Sequence, residues 1–338
     1  MKKKRVMCYV AGTSGGHIIP CLTLAEEETE KNKDTEILFF TGNTELDKHI
    51  MADYKKSLTH VMLPLAKKKK GIFGIIRLGF NVIASMCKLF YYLIKNRPER
   101  MICSGGYIAI PATVCARILA IPVEIFELNA QPGKATCFLA SWAVSLRICF
   151  AETQRYFPRK KCIKTAYPIR FFGSFQQMSK AEATKLLNLD PEKKTVTVLG
   201  GSQGSLEINN VIRETLLHQP DLHKKLQIIH QTGDTDTFDW QKFYDTHDIP
   251  ARVFKFCSDL APHYAAADLI VCRSGSGTLH EVLFFNKPCI TVPLITPTND
   301  HQLYNARAMQ QEFPELFTMF LPTQDKKLIP EFTAKLTE

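Results

Sequence analysis

The chain has 338 residues, 45% of them hydrophobic and 22% charged, with a formal net charge of +10. That length supports two domains with separate cores, and that balance excludes a disordered or fibrous chain. The positive charge points to an anionic partner, for which nucleic acid, an anionic membrane surface and a phosphorylated substrate all qualify.

Eleven cysteines occur with no Cys-x-x-Cys pair. This argues against a zinc cluster or disulfide framework and for a reducing compartment, with most cysteines serving as small core residues. The start, Met-Lys-Lys-Lys-Arg and a short apolar run, mimics a secretory leader. The run breaks at once into Gly-Thr-Ser-Gly-Gly-His (12–17), unlike a cleavage region, so we read it as a first strand.

In chain order, strands are expected at Arg5–Val10, Glu36–Thr41, Arg100–Cys103, Pro122–Glu127, Leu146–Ala151, Thr195–Leu199, Leu226–Gln231, Val253–Phe256, Leu269–Cys272 and Cys289–Val292. These runs are short, near-continuous and apolar, and helix-like stretches separate them. That pattern predicts an α/β chain with parallel strands covered on both faces. Pro168 and Gly173 mark a seam, after which Ser179-x-x-Glu182 forms a capping box at a helix start. We therefore expect two Rossmann-like domains, 1–168 and 169–338, each opening with its own strand and glycine-rich turn.

A glycine-rich turn between a strand and a helix offers free N–H groups and the positive end of a helix dipole, which suit a phosphate. The turns at 12–17 and 200–204 match neither Gly-x-Gly-x-x-Gly nor the Walker motif, so a tight connection without ligand remains an alternative for either alone. A third turn, Arg273-Ser274-Gly275-Ser276-Gly277-Thr278, follows the strand ending at Cys272 and leads into a helix bearing His280 and Glu281. Two such turns at the carboxyl edge of one sheet could hold a nucleoside diphosphate. Glu281 could accept from two ribose hydroxyls, or merely stabilise a helix start.

Six motifs in order carry a family resemblance: Gly-Thr-Ser-Gly-Gly-His-x-x-Pro (12–20), Ser-Gly-Gly-Tyr-x-x-x-Pro (104–111), Glu-x-Asn-Ala-x-x-Gly (127–133), Gly-Gly-Ser-Gln-Gly (200–204), Arg-Ser-Gly-Ser-x-Thr-x-x-Glu (273–281) and Asp-His-Gln-x-x-Asn-Ala (300–306). Together they resemble the MurG family of N-acetylglucosaminyltransferases, over residues 5–325. The resemblance implies a GT-B fold, two Rossmann-like domains facing across a cleft. It also implies inverting transfer of N-acetylglucosamine from UDP-N-acetylglucosamine to the C4 hydroxyl of undecaprenyl-pyrophosphoryl-N-acetylmuramoyl-pentapeptide, at the cytoplasmic face of the inner membrane, with no cofactor and no metal.

By the same resemblance, Arg170, Ser202 and the run Ser276, Gly277, Thr278, Leu279, His280 and Glu281 fall on donor-binding positions. Cys257 falls where the main chain meets uracil, and Gln302, with His301 beside it, on positions that read the sugar. Ser14, Gly15, Gly16 and Asn129 fall on the donor side of the first domain, and Tyr107 with Asn129 on the acceptor side. The chain departs from the family pattern at Thr13 and Ser14, at Phe126 and Leu128 in place of His and Gln, at Thr136 in place of Asn, and at Gly277 in place of a larger apolar residue.

Inverting transfer needs a base. His17 at a helix start would stay neutral near pH 7, because the dipole disfavours the imidazolium; it could instead bind a phosphate. Glu127 is the competing base if burial raises its basicity. Backbone N–H groups at 200–204 and Arg170 would support the leaving diphosphate without a metal. The Asp-x-Asp at 234–236 reads as a capped polar loop rather than a metal site.

Leu65 opens a stretch of four lysines, Lys67–Lys70, and a long apolar helix whose Arg77, Asn81, Ser85, Lys88, Tyr92 and Lys95 form one polar stripe. Arg77 and Lys88 argue against a spanning helix. Core packing is one role for it. The other is a dipping edge, with the lysines on anionic head groups and Ile72 and Phe73 in the acyl boundary. Two rivals stand beside the transferase: a UDP-N-acetylglucosamine 2-epimerase, and a glycosyltransferase with another lipid acceptor. A nucleic-acid binder is disfavoured, since no recognised binding signature occurs.

Overall fold

Seven parallel strands build the first sheet: β1 (Arg5–Val10), β2 (Thr35–Thr41), β3 (Thr59–Met62), β4 (Arg100–Cys103), β5 (Val123–Glu127), β6 (Ser145–Ile148) and β7 (Ile163–Lys164), in the order β3-β2-β1-β4-β5-β6-β7. They come from a computed structural model that describes residues 5–12, 14–54, 56–65, 72–170, 178–201, 203–257, 259–296, 300–321 and 333–334. Thr13, Lys67–Lys70, Gly173, Ser202, the side chains of Ile72 and Phe73, and the stretch 322–332 lie outside the described residues. The chain divides into two compact units, Met1–Arg170 and Phe171–Glu338.

Between the strands of the first unit run α1 (Gly15–Lys31), α2 (Glu45–Asp53), α3 (Ile72–Asn96), α4 (Ala109–Ile118) and α5 (Lys134–Leu139). Alternation along β1 splits the core by face, as the period of two requires. Met7 and Tyr9 join Ile18, Cys21 and Phe39 in one cluster. Cys8 and Val10 join Phe40, Leu89, Leu93, Ala112 and Ile125 in the other. A 3-10 turn, Ala151–Tyr156, follows β6, so the strand expected over Leu146–Ala151 stops at Ile148.

The second unit repeats the plan with β8 (Lys194–Leu199), β9 (Leu226–Gln231), β10 (Ala251–Phe254), β11 (Leu269–Arg273), β12 (Cys289–Val292) and β13 (Phe317–Met319), ordered β10-β9-β8-β11-β12-β13 and all parallel. Its helices are α6 (Lys180–Leu186), α7 (Leu206–His218), α8 (Trp240–Thr246), α9 (Ala261–Ala266), α10 (Ser276–Phe284) and α11 (His301–Glu312). The expected capping box starts α6: the Ser179 hydroxyl accepts from the Glu182 N–H at 3.2 Å, and the Ser179 N–H donates to the Glu182 carboxylate at 2.8 Å. In both sheets the strand order reverses beside the first strand, between β1 and β4 and between β8 and β11. An open crevice at the carboxyl edge is the usual consequence of that reversal.

Helix α3 corrects the expected polar stripe. Ser85 is buried, its hydroxyl donating to the Asn81 carbonyl at 2.7 Å, and it lines up with buried Leu89 and Leu93. The outward face carries Ile75, Ile76, Phe80, Ile83, Tyr91 and Ile94, with Phe80 70% exposed. A serine can sit in the inner row because its hydroxyl bonds to its own helix backbone.

Candidate functional site

The first unit gathers three segments at its strand reversal. Ser14 is the N-cap of α1, in extended conformation, and its carbonyl accepts from the His17 N–H at 3.1 Å. Ser104, directly after β4, donates its hydroxyl to the His17 carbonyl at 3.2 Å. Gly105 follows with φ +93, and a Cβ there would stand 3.3 Å from Thr136 Oγ1 and 3.7 Å from His17 Cε1. Glycine is needed at this point both for its backbone and for the space. Gly15 and His17 are half-buried and Gly16 is exposed.

Glu127 closes β5 and is 2% exposed. Its Oε1 accepts from the Asn129 N–H at 3.0 Å and from Asn129 Nδ2 at 3.3 Å, and its Oε2 accepts from the Gly133 N–H at 3.1 Å. The carboxylate is thus the hub of the loop 128–133. Thr153 donates to the Asn129 and Ala130 carbonyls from the other side. Both departures beside Glu127, Phe126 and Leu128, are buried. Tyr107 is half-buried and donates its hydroxyl to the Leu65 carbonyl at 3.2 Å. Burial, helped by the charge of Asp47, raises the Tyr107 pKa. Arg170 is half-buried at the end of this unit.

In the second unit, Gly200, Gly201 and Gly204 stand between β8 and α7, with the Gly204 N–H donating to the Gly201 carbonyl at 3.0 Å. Ser205 caps α7, accepting from the Ile208 N–H at 3.2 Å. Gly204 has φ +82, and a Cβ on it would collide with the Thr232 carbonyl and lie 2.7 Å from Gly233 Cα. The two glycines let these loops touch backbone to backbone.

Beneath that contact lies a buried polar chain. Asn209 Nδ2 donates to Asp236 Oδ2 at 2.7 Å and to the Thr232 carbonyl at 3.2 Å, so its Oδ1 is the acceptor facing His230 Nε2 at 3.1 Å. His230 therefore carries its proton on Nε2, and its Nδ1 accepts from the Tyr244 hydroxyl at 2.9 Å. Burial pushes the His230 pKa down to about 3. Asp236 also accepts from the Trp240 indole at 2.9 Å and the Phe238 N–H at 2.9 Å. Burial alone would raise the Asp236 pKa; the donors Asn209, Phe238 and Trp240 outweigh it and bring it below the usual value. The expected solvated loop holds for exposed Asp234 but not for Asp236, which anchors it.

The third turn follows β11. Arg273 donates to Glu207 in the first turn of α7 at 2.7 Å, tying the second and third turns together. Helix α10 starts at Ser276, which is buried, as is Leu279; Gly277, Thr278, His280 and Glu281 are half-exposed. His280 Nδ1 faces the Ser276 carbonyl at 2.8 Å. The Glu281 carboxylate accepts from the Tyr264 hydroxyl at 2.8 Å. Gln302 Oε1 accepts from the N–H groups of Ser274 at 3.2 Å and Leu294 at 2.9 Å, so this side chain can offer a ligand only its amide donor. His301, beside it, is half-buried. Cys257, after β10, donates its thiol to the Asp259 carbonyl at 3.1 Å. The sequence reasoning missed Tyr264, Asn209 and His230; it held Asn305 within the 300–306 motif without a role, and its Nδ2 donates to the Ser274 carbonyl at 3.3 Å.

Residues 7–147 match the glycosyltransferase family 28 N-terminal domain, and residues 195–324 match the glycosyltransferase family 28 C-terminal domain. The UDP-N-acetylglucosamine–N-acetylmuramyl-(pentapeptide) pyrophosphoryl-undecaprenol N-acetylglucosamine transferase of Myxococcus xanthus is 31% identical over 88% of this chain and 76% of its own length. The protein of the same name from Protochlamydia amoebophila is 32% identical over 90% and 79%. The crystal structure of Acinetobacter baumannii MurG superposes with a TM-score of 0.77 over 99% of this chain and 91% of that one, at 23% identity, which bears on the fold. With two parallel α/β units of the GT-B kind and relatives of that identity over most of its length, the chain belongs to the MurG family of glycosyltransferases.

Proposed function

We propose that this chain transfers N-acetylglucosamine from UDP-N-acetylglucosamine to the C4 hydroxyl of undecaprenyl-pyrophosphoryl-N-acetylmuramoyl-pentapeptide. The observation that carries the reading is the joining, by Arg273 and Glu207, of two glycine turns at the strand reversal of the second sheet. Two helix starts, those of α7 and α10, follow these turns, and the positive end of a helix suits a nucleoside diphosphate. The named activity of the Myxococcus xanthus and Protochlamydia amoebophila proteins selects the sugar and the acceptor.

In this scheme the acceptor C4 oxygen forms a bond to the donor C1 on the face opposite the diphosphate. The bond from C1 to the diphosphate oxygen breaks, UDP leaves with its electron pair, and the configuration inverts. His17 takes the hydroxyl proton. Glu127 is less suited to that task, because both its oxygens are already engaged by N–H donors of its own loop. Its role is to hold Asn129 and the loop in shape for the substrate. In the second unit, Ser202 and the 200–204 backbone receive the diphosphate, Glu281 the ribose, Cys257 the uracil through its main chain, and Gln302 donates to the sugar. In the first unit, Arg170, Ser14, Gly15, Gly16 and Tyr107 are substrate-binding residues.

The lipid acceptor needs a membrane face, and α3 supplies it in this reading. Its segment Gly74–Asn96 is long and apolar enough to cross a membrane by length and composition. Leu89 and Leu93 are rooted in the core, however, so the helix lies on a bilayer rather than through it. Arg77, Lys88 and Lys95 would meet anionic head groups around the apolar outer row.

The test is radiolabelled UDP-N-acetylglucosamine with and without the lipid-linked muramoyl acceptor, in EDTA. Label should pass to lipid only when acceptor is present. Failure to transfer, or formation of the manno epimer from donor alone, would refute the proposal.

A further inference from the structure

Tyr264 lies outside every motif that pointed to the site, yet it touches Glu281, the residue proposed above to receive the ribose. It sits on α9 and is fully buried. Its ring stacks on Phe285, just past the end of α10, with centroids 5.3 Å apart and planes 10° apart. A buried phenol must find an acceptor. Here the packing against Phe285 delivers the hydroxyl to Glu281 Oε2 at 2.8 Å.

We infer that Tyr264 is a positioning residue, holding the Glu281 carboxylate in the orientation that receives the donor's ribose hydroxyls; this rests on the donor site proposed above. A half-exposed glutamate on a helix has several rotamers open to it, and fixing one costs side-chain entropy. A bond from a rigid, buried partner meets that cost before any ligand arrives, which is preorganisation. The Tyr264 bond takes one of a carboxylate's roughly four acceptor positions. The phenol also removes the alternative in which Glu281 swings out to solvent.

Tyr264→Phe is the suitable variant, because it keeps the ring and its stack on Phe285 and removes only the hydroxyl. Calorimetric titration of the full chain with UDP and with 2′-deoxy-UDP reads the role directly, alongside thermal melting to show that the variant is folded. Wild-type protein should prefer UDP. The variant should bind UDP about fivefold to tenfold more weakly and 2′-deoxy-UDP nearly as before, so the preference collapses. In turnover the KM for the donor should rise while kcat holds.

Unchanged UDP affinity would overturn the inference. So would equal weakening of both nucleotides, which would make Tyr264 a core residue and no more. If wild-type protein binds UDP but does not prefer it to the deoxy form, Glu281 does not read the 2′ hydroxyl and the inference falls. If wild-type protein binds neither nucleotide, it is the donor-site reading itself that falls.

Discussion

Acidification should strip stability from the second unit, and His230 is the residue through which it can be followed. Its neutral ring is locked between Tyr244 and Asn209, and burial lowers its pKa to about 3. In the unfolded chain the same imidazole titrates near its ordinary value of 6.5. Between those two values the unfolded state holds a proton that the folded state refuses, so the free energy of unfolding falls as pH falls. The slope is about 1.4 kcal/mol per pH unit, or about 3 kcal/mol between pH 6.5 and pH 4. His263 is lowered too, chiefly by burial, but its contribution should be common to wild type and a His230→Gln variant. The variant should be less stable at pH 7 and should lack this slope. The chain has two tryptophans, Trp142 and Trp240, and the Trp240 ring lies 4.5 Å from that of His230. In a Trp142→Phe background, Trp240 fluorescence in urea therefore follows the second unit alone. If wild type and variant differ by a constant amount from pH 7 to pH 4, the assignment of His230 as a buried neutral base is wrong.

Gly204→Ala should cost about 3 kcal/mol or more, since its φ is +82 and the atoms a Cβ would strike are backbone; calorimetry should also show UDP binding lost. Glu124 accepts from Arg100 and Arg147 at 2.9 Å each across β4, β5 and β6. Burial would raise its pKa, but the bond to Arg100 and the charge of Arg147 bring it below 4.5. Its contribution is therefore present above the ordinary carboxylate value and lost as pH falls through the folded one. Glu124→Gln should lower stability by about 2 kcal/mol at neutral pH and by progressively less as pH falls below 4.5, as urea melts across that range would show. Ala120 follows α4 at φ +55. Glycine there should raise stability by about 1 kcal/mol, visible as a higher melting temperature.

What could be read from the sequence divides along the sheets. Central strands such as Arg5–Val10 and Leu226–Gln231 are buried on both faces, so their apolar runs announce them. The three strands that escaped notice, Thr59–Met62, Ile163–Lys164 and Phe317–Met319, are all edge strands, and Ala251–Phe254, displaced by two residues, is the fourth edge. An edge strand buries less and carries a mixed pattern. The same division holds at the site. Gly105 and Gly204 are visible because backbone conformation demands glycine. Tyr264 and His230 are not, because their partners lie far along the chain and meet them only through the packing of the sheet and its helices. Asp236 was seen in the Asp-x-Asp pair, but its bonds to Asn209 and Trp240 are tertiary and gave no local sign.

The departures from the family around Glu127 take on a physical meaning in this light. By the resemblance, polar residues are expected where Phe126 and Leu128 stand, and at an exposed site such a change would alter what the loop can recognise. Both are fully buried here, so their side chains contribute packing, and each apolar replacement avoids placing a polar group that would need its own partner. The loop's shape depends on neither of them. It is set by three N–H donors converging on the Glu127 carboxylate and by Thr153 holding the carbonyls of Asn129 and Ala130. A substitution at Phe126 or Leu128 can therefore change core volume while leaving the loop backbone in place. Thr136 differs in kind. Its hydroxyl stands where the segments of Gly105 and His17 meet. It is as buried as the other two, so a change of side chain there acts on the packing between those segments.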